Sequence, residues 1–336
     1  MASAPATPLL VLLDDREGLV RASPGFAHLR SLLGGRVSVL DAPLASLGAS
    51  ELDSLKDARF ALAVRERTLF NAATLDRLPA LELLLQTGGH AYHVDAAELR
   101  ARGVATALGR RARCVLSAVP ELTMMLMLAC VRRLGESVRS MSAGGGGGGG
   151  SGWPSLVGRN LAGRRLGILG LGRHGRNVAR LASAFGMEVV AWDRAGGSGS
   201  AGAPPVDGIA RLPLSTLLAT CDVVSIHLRL SPESTRLLDR AALASMKPRS
   251  VLINTSRGAI VDEDALAEAL VTGRLGAAGL DVFVDEPLSP ASPLRSAPNA
   301  VLTPHVGWTT EEVREGRKLE GWRDGGRVDD PLFRLF

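Results

Sequence analysis

Short apolar runs closed by turn residues recur along the chain: "LLVLLDD", "ALAVRE", "LELLLQTGG", "RLGILGLG", "EVVAWD", "DVVSIHL", "VLINTS", "AGLDVF" and "AVLTPH". Stretches of helical length separate them. Runs that are apolar throughout, rather than alternating, read as strands buried on both faces, and helix-length crossovers join such strands in parallel. The pattern therefore predicts the α/β class, with two doubly wound parallel sheets. It divides the chain into a domain over 1–117, with 306–336 as a candidate completion, and a domain over 118–305. "AGGGGGGGSG", residues 143–152, breaks the rhythm. It has no side chains to bury and a high ordering entropy, and reads as a flexible surface insertion more readily than as a hinge.

Composition narrows the function classes. A chain of 336 residues with 46% hydrophobic content is long enough for two packed cores. Its longest apolar stretch, "VLSAVPELTMMLMLACV", is interrupted by Pro120 and Glu121 and falls short of the roughly 20 residues a bilayer demands, so no membrane span is expected. The chain enters a strand by Leu9, which leaves no room for a leader, and a cytoplasmic protein is expected. The net charge is +5, with arginines scattered rather than clustered among aromatics, which argues against nucleic acid. Cys114, Cys130 and Cys221 lack Cys-x-x-Cys spacing and sit among apolar neighbours, which points to buried reduced thiols rather than disulfides or zinc.

One segment carries specific chemistry. In "RLGILGLGRHGRNVARLASAFGMEVVAWD", Gly170, Gly172 and Gly175 follow a strand in G-x-G-x-x-G spacing, and a helix and a second strand come next. Gly170 permits the tight turn, Gly172 lets backbone amides approach a pyrophosphate, and Gly175 lets helix and strand pack closely. The helix N-terminus then faces the anion. Val178, Leu181, Ala182 and Phe185 recur at helical spacing and predict an apolar face for the sheet. Asp193 ends the second strand about 20 residues on, where a carboxylate accepts hydrogen bonds from a ribose diol and repels a 2′-phosphate. This favours NAD over NADP, although Arg194 beside it offers a phosphate partner.

Three polar residues stand just past three later strands: Arg257 after "VLIN", Glu286 after "AGLDVF" and His305 after "AVLT". Ligands bind open α/β sheets at that edge. A forked guanidinium can hold a carboxylate and polarise a neighbouring carbonyl. An imidazole can exchange the hydroxyl proton as hydride moves, and a carboxylate can orient it. Taken singly, each has a plain structural reading: a surface charge, a turn before Pro287 and a half-buried histidine. Their joint occurrence downstream of a nucleotide fingerprint favours reversible hydride transfer at C2 of a 2-hydroxy acid.

At these residues the sequence resembles the D-isomer-specific 2-hydroxyacid dehydrogenase family, which includes glyoxylate/hydroxypyruvate reductases and phosphoglycerate dehydrogenases. "GILGLGRHG", "DVVSIHLRLSPEST", "MKPRSVLINTSRGAIVDEDALAEAL", "GLDVFVDEP" and "LTPHVG" follow the family pattern in order, over roughly 118–308. The resemblance implies a Rossmann NAD-binding domain beside a flavodoxin-like substrate-binding domain, with Arg257, Glu286 and His305 as catalytic residues. It implies NAD contacts at Arg173, His174, Asp193, His227, Thr255, Ser256, Asp281 and Gly307; for His227 a hydrogen-bonded strand-end histidine is an equal reading. Through "VLLDDREG", "AVRERTLF" and "LLLQTGGHAYHVD" it places substrate contacts at Gly88, Gly89 and His90. His90, Tyr92 and His93 depart from the usual loop, and with no third ligand in evidence they do not suggest a metal.

The helix "PELTMMLMLACVRRL" corresponds to one that packs across a homodimer interface in the family, with Met124, Met125 and Met127 as core and interface filler. The tail "REGRKLEGWRDGGRVDDPLFRLF" departs from the amphipathic helix expected there, being interrupted at Gly316, Gly321, Gly325 and Gly326. Two alternatives to a working dehydrogenase follow: an NAD(H)-sensing binding protein resembling transcriptional corepressors, and a catalytically impaired relative.

Overall fold

The computed structural model describes residues 9–16, 18–41, 44–65, 67–87, 93–108, 115–142, 156–192, 208–297 and 299–311. They form two compact units, one of the described residues up to 108 together with Glu311 and one of those from 115 to 310. The Gly-rich tract, Cys114 and the tail from Glu312 onward lie outside the described residues.

The first unit is built on strands β1 (Leu9–Leu13), β2 (Val37–Leu40), β3 (Ala58–Ala63), β4 (Leu83–Gln86) and β5 (Ala105–Leu108). Helices α1 (Pro24–Leu32), α2 (Ala49–Asp53), α3 (Ala72–Leu75) and α4 (Ala96–Ala101) lie between them in sequence. The sheet order is β2-β1-β3-β4-β5, parallel throughout. That is the flavodoxin-like order. Successive side chains of a strand point to opposite faces, so Leu10, Leu12 and Phe60 enter one core and Val11, Leu13 and Ala61 another. Ser23, Asn71 and Asp95 start three of the helices by accepting hydrogen bonds from first-turn amides.

The second unit carries helices α5 (Val115–Val131), α6 (Leu134–Ser142), α7 (Arg173–Ala184), α8 (Leu214–Thr220), α9 (Arg240–Ser245) and α10 (Glu263–Val271). Its strands are β6 (Arg165–Leu169), β7 (Glu188–Trp192), β8 (Ala210–Arg211), β9 (Val223–Ile226), β10 (Val251–Asn254), β11 (Ala277–Leu280) and β12 (Ala300–Leu302). They form one parallel sheet in the order β12-β11-β10-β9-β6-β7-β8. The chain moves outward from β6 to β8, then crosses back to β9, which creates a switch point between β6 and β9. One face of the sheet packs on α5 and α7 through Leu126, Met127, Ile168, Val178, Ala182 and Ile253. The other packs on α8, α9 and α10 through Leu217, Val224, Leu243, Leu252 and Leu266.

Two sequence expectations are corrected here. Pro120 does not interrupt the apolar run, because α5 continues through it. Proline lacks the N–H that would reach the carbonyl of Leu116. The Asn177 side-chain amide of α7 donates to that carbonyl instead, at 2.8 Å. Nor does Phe185 join the apolar face of α7. Val178 and Ala182 are fully buried against the sheet, whereas Phe185 lies just past the last turn, 45% exposed. Together with Leu181 it borders an open apolar recess shared with α5 and α6. Among the described residues no helix is long and apolar enough to cross a membrane.

Candidate active site

Strand register builds the site. Leu169, Ile226, Asn254, Leu280 and Leu302 pair side by side across β6, β9, β10, β11 and β12. The next residue of each strand, namely Gly170, His227, Thr255, Asp281 and Thr303, therefore stands in one row along the carboxyl edge.

At the β6–α7 turn, Gly170 takes φ +99, and a Cβ there would lie 2.8 Å from the carbonyl oxygen of His227. A Cβ on Gly175 would lie 2.2 Å from the carbonyl oxygen of Gly170, so helix and strand approach as closely as backbones allow. Gly172, at the start of α7, is exposed, and a Cβ built on it meets nothing within 4 Å.

Beyond β10 the chain turns sharply under the control of buried Asn254. Its side-chain oxygen accepts from the Ser256 amide at 3.0 Å, and its amide nitrogen donates to the Arg257 carbonyl at 2.9 Å. Ser256 Oγ donates to the Ile226 carbonyl at 2.7 Å, tying the turn to β9. Thr255 Oγ1 lies 3.0 Å from Thr123 Oγ1 of α5, and Arg257 is half-buried with Nη1 donating to the Ser256 carbonyl at 2.7 Å. The guanidinium that no strand core would accommodate thus sits at the sheet edge.

Past β12, His305 adopts φ +56, a left-handed conformation uncommon for a residue with a Cβ. Asp281, 1% exposed, fastens the chain on its far side. One oxygen accepts from Thr303 Oγ1 at 2.6 Å and from the Val306 amide at 2.8 Å, and the other accepts from the Gly307 amide at 2.9 Å. Burial raises the Asp281 carboxyl above its ordinary range, while these donors and nearby His305 oppose the rise. Held in this way, His305 Nδ1 lies 2.7 Å from Glu286 Oε2, with both side chains largely shielded from solvent. The other oxygen of Glu286 accepts from the Phe283 amide at 3.2 Å.

His227 forms a separate neutral centre. Its Nε2 lies 2.9 Å from Ser225 Oγ. Burial first, and neighbouring His174 second, push its imidazole down to about 3.

Comparison with known proteins gives the family. Residues 124–307 match the family model described as D-isomer specific 2-hydroxyacid dehydrogenase, NAD binding domain. The chain belongs to that family. It is 42% identical over 236 residues to glyoxylate/hydroxypyruvate reductase B of Pectobacterium atrosepticum, covering 68% of this chain and 69% of the relative. It is 35% identical over 255 residues to D-3-phosphoglycerate dehydrogenase of Mycobacterium leprae, covering 76% of this chain. The matched part is 46% of that relative, so the chain spans about half the length of the mycobacterial dehydrogenases it resembles. The crystal structure of phosphoglycerate oxidoreductase from Vibrio cholerae superposes with a TM-score of 0.75 at 29% identity, covering 92% of this chain and 94% of that one.

The matched family model is that of an NAD-binding domain, and the residues present fit the cofactor. The backbone at Gly172 is open to a ligand, and the first turn of α7 holds no acidic side chain that would repel a pyrophosphate. Arg173 and His174 occupy that turn. Asp193, Gly88, Gly89 and His90 lie outside the described residues. Cys130 and Cys221 are buried free thiols, pushed up to about 12 and about 11 chiefly by desolvation.

Sequence reasoning passed over Thr123, Asn254 and Thr303. Each had a legible signal, being a hydrogen-bonding side chain within or directly after an apolar run, where a buried polar group needs a partner.

Proposed function

We propose that the protein is an NAD-dependent oxidoreductase interconverting small D-2-hydroxy acids and 2-oxo acids, with glyoxylate and hydroxypyruvate as substrates. The observation that carries this reading is the 2.7 Å contact between His305 and Glu286 on the sheet edge that also bears Arg257 and the α7 N-terminus. NAD, when bound, accepts or returns the hydride at C2. Arg257 pairs its guanidinium with the substrate carboxylate and polarises the adjacent carbonyl. With Nδ1 given to Glu286, proton exchange falls to Nε2 of His305, which takes the hydroxyl proton in oxidation and returns it in reduction. Glu286 fixes the ring and stabilises its cationic form.

The reading extends to self-association and compartment. An open recess of about 650 Å³ between α5, α6 and α7 is bordered by Met124, Met125, Leu128, Leu134, Leu181 and Phe185. Met125, Leu134 and Phe185 are each close to half exposed, and such a patch favours a homodimer built on this face. The buried thiols agree with a reducing compartment such as the cytoplasm.

Absorbance-followed NADH oxidation against a panel of 2-oxo acids, with NADPH in parallel, tests the activity. Turnover with glyoxylate or hydroxypyruvate is expected. Tight NADH binding without turnover on any 2-oxo acid, in folded protein, overturns it. Light scattering of Met125→Glu, expected to give monomer where the parent gives dimer, tests the interface.

A further inference from the structure

The loops bearing Arg257 and Glu286 are joined at one point that the reaction itself does not use. A Cβ on Gly258 would fall 2.0 Å from the carbonyl carbon of Phe283 and 2.4 Å from the Val284 nitrogen, so the turn after Arg257 rests directly on the turn before Glu286. The Phe283 amide donates to Glu286 Oε1. Its neighbour, the Val284 amide, donates to Glu263 Oε1 at 2.6 Å. Glu263 is the first residue of α10, whose N-terminus is anchored by Asp262 accepting from the Ala265 amide and whose apolar face is buried by Ala265, Leu266 and Leu270. A rigid helix thus holds the loop 283–286 by its backbone, two residues from the carboxylate that meets His305.

We propose that Glu263 is a positioning residue for the acid–base pair: by accepting from Val284 N it fixes the loop that presents Glu286 to His305 and keeps that loop seated on the turn that presents Arg257. Its surroundings agree with an acceptor retained for geometry rather than for charge attraction. Burial raises its carboxyl, the Val284 amide opposes the rise, and the carboxylates of Asp285, Asp264 and Glu286 add repulsion. Among the described residues, the carboxylates of Glu286 and Asp281 both face His305.

The role in turnover rests on the dehydrogenase reading, and the test separates the two. Glu263→Ala removes the acceptor, whereas Glu263→Gln keeps a side-chain oxygen able to accept from Val284. Glu263→Ala is expected to lower kcat by roughly 10- to 100-fold, as misplacement of a catalytic group by up to about 1 Å does. NADH affinity, followed by fluorescence, should stay within about twofold, and Glu263→Gln should restore most of kcat. Independently of turnover, an NMR titration of the His305 ring, assigned with His305→Gln, should move to lower pH in Glu263→Ala as Glu286 drifts from the ring. An unmoved ring titration, or equal losses in the Ala and Gln variants, overturns the proposal. A wild-type protein without turnover whose ring titration still responds to Glu263→Ala overturns only the dehydrogenase reading.

Discussion

Asp281→Asn is the sharpest probe of how the fold holds its candidate base. The substitution conserves shape but places an NH2 group where one carboxylate oxygen stood. Three donors converge on this side chain, from Thr303 Oγ1, Val306 N and Gly307 N. Whichever way the amide turns, at least one of them meets a donor instead of an acceptor. A hydrogen bond to a charged group contributes about 1.5–3 kcal/mol. The variant also escapes part of the cost of burying a carboxylate, seen in the raised titration of Asp281. The net loss expected is about 2 kcal/mol, or a fall of roughly 4–8 °C in the unfolding midpoint of a domain this size.

The functional loss should exceed what stability alone explains. His305 sits at φ +56 between Thr303 and Val306, both tied to Asp281, and once released the backbone relaxes toward ordinary conformations. Urea unfolding followed by tryptophan fluorescence, with Trp308 buried beside the loop, reads the first effect. Steady-state NADH oxidation well below the midpoint reads the second, with kcat expected down by roughly 10- to 100-fold. An unfolding midpoint and kcat both unchanged would refute the view that Asp281 fastens the His305 loop.

His305→Ala should reduce turnover by about 10²–10⁴-fold while NADH still binds, and activity within a factor of two of wild type removes His305 from the chemistry. Gly175→Ala forces a methyl group within 2.2 Å of the Gly170 carbonyl oxygen, so stability should fall by about 1–3 kcal/mol or more and NADH binding should weaken; an intact urea midpoint contradicts the close approach. His227 gives a pH signature. Its folded imidazole is depressed to about 3 against an ordinary 6.5, so between those values the unfolded chain binds more protons and stability declines as the pH falls. From pH 7 to pH 5 the His227 share amounts to at most about 2 kcal/mol. His227→Gln should lose less stability than wild type over that interval, and parallel losses in urea midpoint would show the ring to be solvated.

The two sheets, their parallel sense and the nucleotide turn were legible in the sequence because each depends on local chemistry. Apolar runs long enough for strands and spaced by helices admit few packings, and glycines at 170 and 175 stand where any Cβ would strike backbone. The types of residue at the site were legible too, since Arg257, Glu286 and His305 each follow a strand end. What the local pattern could not contain was register and reach. Only the pairing of Asn254 with Ile226 and Leu280 brings the strand ends into one row. Only the folded chain brings Asp281 to the amides around His305, Glu263 to Val284 across 21 positions, and Asn177 to the carbonyl left by Pro120. The same holds for Phe185, whose spacing matches the buried face of α7 yet whose place past the helix end turns it outward. Periodicity records which residues leave water, whereas the partners of buried polar groups are set by strands and helices distant in sequence, and these meet only when the sheet closes.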